Sequence, residues 1–94
     1  MSRDSQIASV KPRSPLGRAL AGFRGRIEAI LVGDHKSGLA PEELERRLIE
    51  LGFVEGANVE ILHEGAFGRD PIAVRIGHST VALRRREAMA ILVT

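Results

Sequence analysis

The stretch LAPEELERRLIELGF, residues 39–53, constrains the fold most, because it predicts both a helix and the point at which that helix stops. Pro41 suits the first helical position, where no amide hydrogen is needed. Gly52 stands where a left-handed C-terminal cap needs a residue without a Cβ atom. Three leucines recur at helical spacing and line one face: Leu44, Leu48 and Leu51. We therefore predict one short helix that stops at Gly52, with Phe53 folding back onto its apolar face.

The segments around this helix have the composition and alternation of short strands. Before it, residues 22–33 are bounded by glycines and contain β-branched residues, which favours a strand. After it come three alternating segments, a stretch that allows one helical turn, and a closing apolar run: residues 57–64, 71–77, 80–84, 85–90 and 91–94. This order predicts a mainly β fold, a small antiparallel barrel with one inserted α-helix. Closure of the barrel is expected to remove the exposed strand edges.

The chain has 94 residues and no cysteine, which suits one small domain and excludes disulfides, thiolate metal ligands and a cysteine nucleophile. Residues 1–15 are polar and contain two prolines, so we predict a mobile N-terminal tail followed by a folded domain over residues 16–94. No apolar run approaches the ~20 residues of a membrane span, and no secretion signal is recognisable. These features predict a soluble, cytoplasmic protein that is not embedded in a membrane.

Two longer patterns resemble a known family. RRLIELGF at residues 46–53, followed by Gly56 and by VEIL at 59–62, combines with DPIAVRIGHSTVALRRREAMAILV at 70–93. In this order the pieces resemble the FeoA family, small cytoplasmic proteins of bacterial ferrous iron uptake, over residues 16–93. The resemblance implies an SH3-like fold and a role beside FeoB, the membrane GTPase that carries Fe(II). A similar domain occurs at the C-terminus of metal-dependent repressors, but this chain has no room for their DNA-binding helices.

The candidate metal ligands are few and scattered. The histidines and the nearest carboxylate lie in or beside predicted loops: His35, His63, Glu64 and His78. A transition-metal site needs three or four converging ligands, and neighbouring strand residues such as His63 and Glu64 point to opposite faces. We therefore expect no cofactor and no evolved metal site, and only weak or adventitious binding of a divalent metal.

Two features are candidates for binding a partner. RRRE at residues 84–87 is the densest positive patch outside the tail, and Arg84, Arg85 and Arg86 could dock on an acidic surface. The alternative is a solvated turn whose side-chain stems cover the barrel rim. Phe67 lies between glycines in EGAFG, where it is either tucked over the barrel end or exposed as an anchor.

The sequence contains no recognisable enzyme constellation and no phosphate-binding lysine loop, so we predict neither catalysis nor nucleotide binding. With the resemblance, this predicts a non-enzymatic accessory or regulatory protein of Fe(II) uptake that binds the GTPase FeoB. Alternatives are a small nucleic-acid-binding barrel or a metal-sensing module. Nucleic acid is disfavoured, because the formal net charge is only +2 and few aromatic residues are present to stack on bases. Weak homo-oligomerisation stays open.

Overall fold

The computed structural model describes residues 12–33 and 40–94. The strands in these ranges are β1 (Ser14–Pro15), β2 (Arg24–Ile30), β3 (Asn58–Phe67), β4 (Asp70–Ile76), β5 (Ser79–Leu83) and β6 (Ile91–Val93). The helices are a short 3-10 helix (Leu16–Arg18), α1 (Pro41–Glu50) and α2 (Arg85–Ala88). This architecture confirms the predicted mainly β fold with one long helix inserted between the first long strand and the later strands.

The strands form one antiparallel sheet in the order β1-β6-β2-β3-β4-β5. Strand β2 belongs to both halves of the sheet, because Arg24–Arg26 pairs with β3 and Ile27–Ile30 pairs with β6. Its register shifts between Ile27 and Ala29, and a bulge of this kind bends a strand. The sheet therefore curls around its core, as a small barrel requires.

The two ends of the sheet, β1 and β5, are not paired with each other in the described part of the chain. Strand β1 has only two residues, and Pro15 has no amide hydrogen to offer to a ladder. Instead, the 3-10 helix packs against α2, where a Cβ atom on Gly17 would lie 2.4 Å from the carbonyl oxygen of Arg85. Packing of short helices, rather than strand pairing, thus covers this side of the barrel, which corrects the expected removal of both edges by closure.

Two element boundaries differ from the predicted ones because strand pairing extends them. Ser14 and Pro15 pair with Val93 and Leu92, so the ordered sheet begins before residue 16, the predicted start of the domain. Residues 1–11 of the predicted tail lie outside the described residues. Strand β3 continues past the predicted segment 57–64 to Phe67, which pairs with Asp70 on β4.

The core lies between the inner face of the curled sheet and α1. Alternation along the strands decides which side chains point inward. The helix contributes Leu44 and Leu48, and Phe53, which is fully buried, covers the same face just after the helix ends. The other large buried residues come from the strands and the 3-10 helix: Leu16, Ile27, Val59, Ile61, Ile72, Val74, Ile76, Leu83, Ile91 and Val93.

The end of α1 has the predicted geometry. Gly52 has a φ of 103°, in the left-handed region that favours glycine. The amide of Phe53 donates to the carbonyl of Leu48 over 2.9 Å, and the amide of Gly52 donates to the carbonyl of Ile49 over 2.9 Å. These bonds satisfy carbonyls that the helix end would otherwise leave unpaired. The predictions that Gly52 stops the helix and that Phe53 folds back are confirmed.

Replacing Gly52 with alanine should lower the free energy of unfolding by about 1 kcal/mol, which is roughly 4–8 °C in melting temperature for a domain of this size. The cost comes from the backbone, because the new Cβ atom would sit 3.5 Å from Cγ1 of Ile76, an ordinary contact distance. This loss of stability can be measured by thermal unfolding, monitored by circular dichroism. Gly52→Asn is the matched control and should lose less, since asparagine tolerates this conformation. If Gly52→Ala and the parent chain had the same melting temperature, a Cβ atom at this position would cause no strain in the cap.

Candidate partner-binding surfaces

Phe67 is the most exposed large apolar side chain in the described ranges, at 91%. It ends β3, and the turn that follows contains Gly68 and Arg69, both with positive φ. Of the two alternatives that the sequence left open, the structure shows the exposed one. A phenylalanine this exposed gains nothing from the core, which makes it a candidate anchor for another molecule.

Arg85, by contrast, is used inside the fold. Its Nε donates to the carbonyl of Arg69 over 2.7 Å, and one terminal nitrogen donates to the carbonyls of Gly17 and Ala19 over 3.1 and 2.6 Å. Its other terminal nitrogen donates to Oε2 of Glu64 over 2.8 Å. The side chain is only 18% exposed. Arg85 therefore joins the N-terminal segment, the β3–β4 hairpin and α2, which corrects its assignment to a docking patch.

Arg84 and Arg86, the neighbours of Arg85, are exposed. Because Arg85 bonds to the carbonyl of Arg69, the start of α2 lies against the turn that follows Phe67. The structure thus brings part of the two predicted surfaces to the same end of the barrel. We call this the hairpin surface and define it by Phe67, Arg84 and Arg86.

Glu87 is the buried charged residue in the described part of the chain. Its carboxylate accepts a hydrogen bond from Nη1 of Arg47 on α1 and another, over 3.1 Å, from the amide of Arg84. The second bond caps α2, because it satisfies an amide at the start of the helix. The first bond ties α1 to α2 across the barrel. Arg47 and Glu87 are therefore structural residues.

The candidate metal ligands that the structure describes do not form a cluster. His35 lies outside the described residues, and His78 is exposed beside the turn between β4 and β5. His63 is exposed on β3, whereas the carboxylate of Glu64 accepts hydrogen bonds from the amide of Ala21 over 3.1 Å and from Arg85. Within the described ranges, no group of three or more histidine, cysteine, aspartate or glutamate residues could hold a metal ion.

A basic groove that the sequence did not reveal lies at the other end of β3. Arg24 on β2 is the register partner of Glu60 on β3, and Glu60 is in turn the partner of Arg75 on β4. Paired strand residues point to the same face, so these three side chains form one row. Arg26, two positions along β2 from Arg24, points to that face as well. Residues far apart in sequence are thereby gathered into one cluster.

The groove beside this row has a volume of about 870 Å³. We call it the basic groove and define it by its charged rim, Arg24, Arg26, Glu60 and Arg75, and by an uncharged lining that includes Leu51, Gly52, Ala57, Ile76 and Gly77. The side chain of Arg24 is 79% exposed, and its Nε lies 3.6 Å from Oε2 of Glu60. No ion pair in the described part of the chain includes Arg26 or Arg75.

A smaller depression lies between α1 and the end of β2. Its apolar lining includes Ile49 and Val54, which are 49% and 45% exposed, together with Ile30. Glu45 and Glu55 stand on its rim. Its charge is thus opposite to that of the basic groove. Among the three helices of the described ranges, none has the length and apolar composition that a membrane crossing needs.

Comparison with protein families matches residues 14–94 to the FeoA domain. Among solved structures, the chain is 30% identical to FeoA from Stenotrophomonas maltophilia, a protein complexed with zinc and described as a prokaryotic SH3 domain protein. The match covers 85% of this chain and 88% of that one, with a TM-score of 0.69. The SH3-like fold expected from the sequence is confirmed by this likeness.

Two further structures extend the comparison. Iron(II) transport protein A from Clostridium thermocellum is 34% identical over 84% of this chain and 43% of that one, with a TM-score of 0.69. A manganese-dependent transcriptional repressor is 25% identical over 89% of this chain but only 42% of that one, with a TM-score of 0.71. Comparison with curated protein sequences gave no match.

Proposed function

Because the chain belongs to the FeoA family, we propose that it is a non-enzymatic accessory protein of Fe(II) uptake that acts by binding an FeoB-like membrane GTPase. The observation that carries the proposal is the family match over residues 14–94. Structural relatives named as an iron(II) transport protein and as FeoA support it. In this proposal the protein works in the cytoplasm, iron is the cargo of the partner, and no resident metal or cofactor is assigned to this chain.

Binding through a few anchors is the mode of action that the surface favours. At the hairpin surface, Phe67 offers an apolar side chain, while Arg84 and Arg86 offer exposed positive charge. Interfaces usually draw most of their free energy from a few such residues. A domain of this size presents a small contact area, so we expect a Kd in the micromolar range.

The test is Fe(II) uptake in a strain from which the gene has been deleted. Uptake should fall on deletion and return when the parent chain is supplied. Phe67→Ala should restore uptake only in part, and its binding to the cytoplasmic domain of the GTPase should be weaker at every salt concentration. Arg84→Ser combined with Arg86→Ser should weaken binding mainly at low salt, because added ions screen charge attraction.

The control is Arg13→Ser combined with Arg46→Ser, which removes the same charge from two exposed positions, one before β1 and one on α1. This variant should restore uptake fully. Full uptake in the uncomplemented deletion strain would overturn the proposed function. Normal uptake with both hairpin-surface variants would keep the transport function and remove this surface from it.

A further inference from the structure

We infer that the basic groove binds a short acidic segment of a protein partner and seats an apolar side chain of that segment between its arginines. We place this segment on the partner GTPase, and only that choice of partner rests on the proposed function.

The basic groove has an excess of positive charge on its rim. The rim carries three arginines and one glutamate, and the single ion pair formed there joins Arg24 to Glu60. Arg26 and Arg75 are exposed and form no ion pair within the described ranges. Among the residues that the structure describes, this leaves two guanidinium groups beside one groove without a carboxylate partner. A carboxylate brought by a partner would pair with either, and guanidinium groups match carboxylates in shape.

The lining between these charged groups is uncharged and largely apolar. Leu51, Ala57 and Ile76 contribute apolar groups, and Gly52 and Gly77 bring bare backbone to the surface. A groove that combines an apolar lining with a few charged groups at its rim has the usual form of a recognition site. Its volume of about 870 Å³ has room for a few residues of a peptide. The arginines would then select the charge of the segment, and the apolar lining would hold one of its side chains.

A protein segment fits this groove better than nucleic acid does. Single-stranded nucleic acid is bound by stacking its bases on aromatic side chains along a basic track. None of the lining residues is aromatic, and the track has three arginines interrupted by Glu60. An acidic peptide needs only a local match of charges and one apolar contact, both of which are present.

The inferred site is separate from the hairpin surface. Ala57 and the first three residues of β3, Asn58–Glu60, line the groove, whereas Phe67 ends that strand. At about 3.3 Å of rise per residue, seven positions from Glu60 to Phe67 span roughly 23 Å. Substitutions at one site therefore leave the other intact, which allows the two to be tested independently.

The test uses the full chain, labelled with ¹⁵N, and a synthetic peptide of sequence EEDLEEDLEE. We expect saturable shifts confined to the amides of residues 24–26, 57–60 and 75–77. Arg26→Ser combined with Arg75→Ser should raise the Kd about fivefold, which is about 1 kcal/mol of binding free energy, because two charge pairs at the surface are lost. The charge-reversed peptide KKNLKKNLKK should not bind at these residues.

The matched control, Arg18→Ser combined with Arg46→Ser, changes the net charge equally and should alter the Kd less than about twofold. Equal weakening by both double variants would overturn the inference, because only net charge would then matter. So would shifts without saturation, shifts outside the groove, or tighter binding of an oligothymidine to the same residues. A failed uptake assay together with saturable binding in the groove would count against the proposed function alone.

Discussion

Replacing Arg85 with alanine should lower the free energy of unfolding by about 3 kcal/mol, because the side chain serves four acceptors in three parts of the fold. Its guanidinium group bonds to the carbonyls of Gly17, Ala19 and Arg69 and to the carboxylate of Glu64. Alanine would leave Glu64, whose side chain is 20% exposed, without its closest positive partner. Hydrogen bonds to charged groups are worth more than neutral ones, and half-buried acceptors left unpaired cost further free energy.

Urea unfolding with linear extrapolation measures this loss. In a domain of this size it corresponds to a fall of roughly 12–24 °C in melting temperature. Arg85→Lys should recover less than half of the loss, because an ammonium group is a single point of charge and cannot reach four acceptors in the plane of a guanidinium group. The control is Arg86→Ala at the exposed neighbour, expected to lie within about 0.5 kcal/mol of the parent chain. If Arg85→Ala also lay within that range, Arg85 would be a surface residue after all.

The ion pair between Arg47 and Glu87 should show an asymmetric response to substitution. Arg47→Ala leaves a carboxylate whose side chain is only 7% exposed, with the amide of Arg84 as its remaining donor. We expect this variant to lose about 2–3 kcal/mol, since breaking a buried pair leaves an uncompensated charge. Glu87→Gln should lose only about 1 kcal/mol. Its amide oxygen can still accept from Arg84, and Arg47, with a side chain 46% exposed, can turn to water.

Unfolding of both single variants and of the double variant measures this asymmetry. The double variant should be more stable than the sum of the two losses predicts, by about 1 kcal/mol or more, because residues in direct contact are not additive. Arg46→Ala, at an exposed position beside Arg47, supplies the reference for removing an arginine from α1. Losses that simply add, or a larger loss for Glu87→Gln than for Arg47→Ala, would contradict the role of Glu87 as a buried charge.

The internal role of Arg85 could not be predicted from the sequence. In the sequence, Arg84, Arg85 and Arg86 are three equal positive charges, and nothing local distinguishes one from the others. In the fold, the side chain of Arg85 turns inward to carbonyls 16 to 68 positions away, while its neighbours face solvent. Which arginine bonds internally depends on which carbonyls the packed chain leaves within reach, and that is a property of the assembled fold.

The basic groove also depends on the assembled fold. Arg24, Glu60 and Arg75 stand in one row only because of the pairing register of β2 with β3 and of β3 with β4. A shift of one residue in either pairing would send one member of the row to the opposite face. The strands could be predicted from their alternation, but their register could not, so the sequence alone does not bring these arginines together.

What the sequence determined by itself was local in origin. The start of α1 at Pro41, its stop at Gly52 and the inward strand residues all follow from rules that act within a few positions. The order of the elements, with the RRLIELGF and DPIAVRIG patterns, was enough to indicate the family and its fold. The tertiary structure alone decided the exposure of Phe67, the internal bonding of Arg85, the covering of one barrel side by short helices and the gathering of the groove arginines. Each of these depends on contacts between distant residues, whose geometry exists only once the sheet has taken its register and curled around the core.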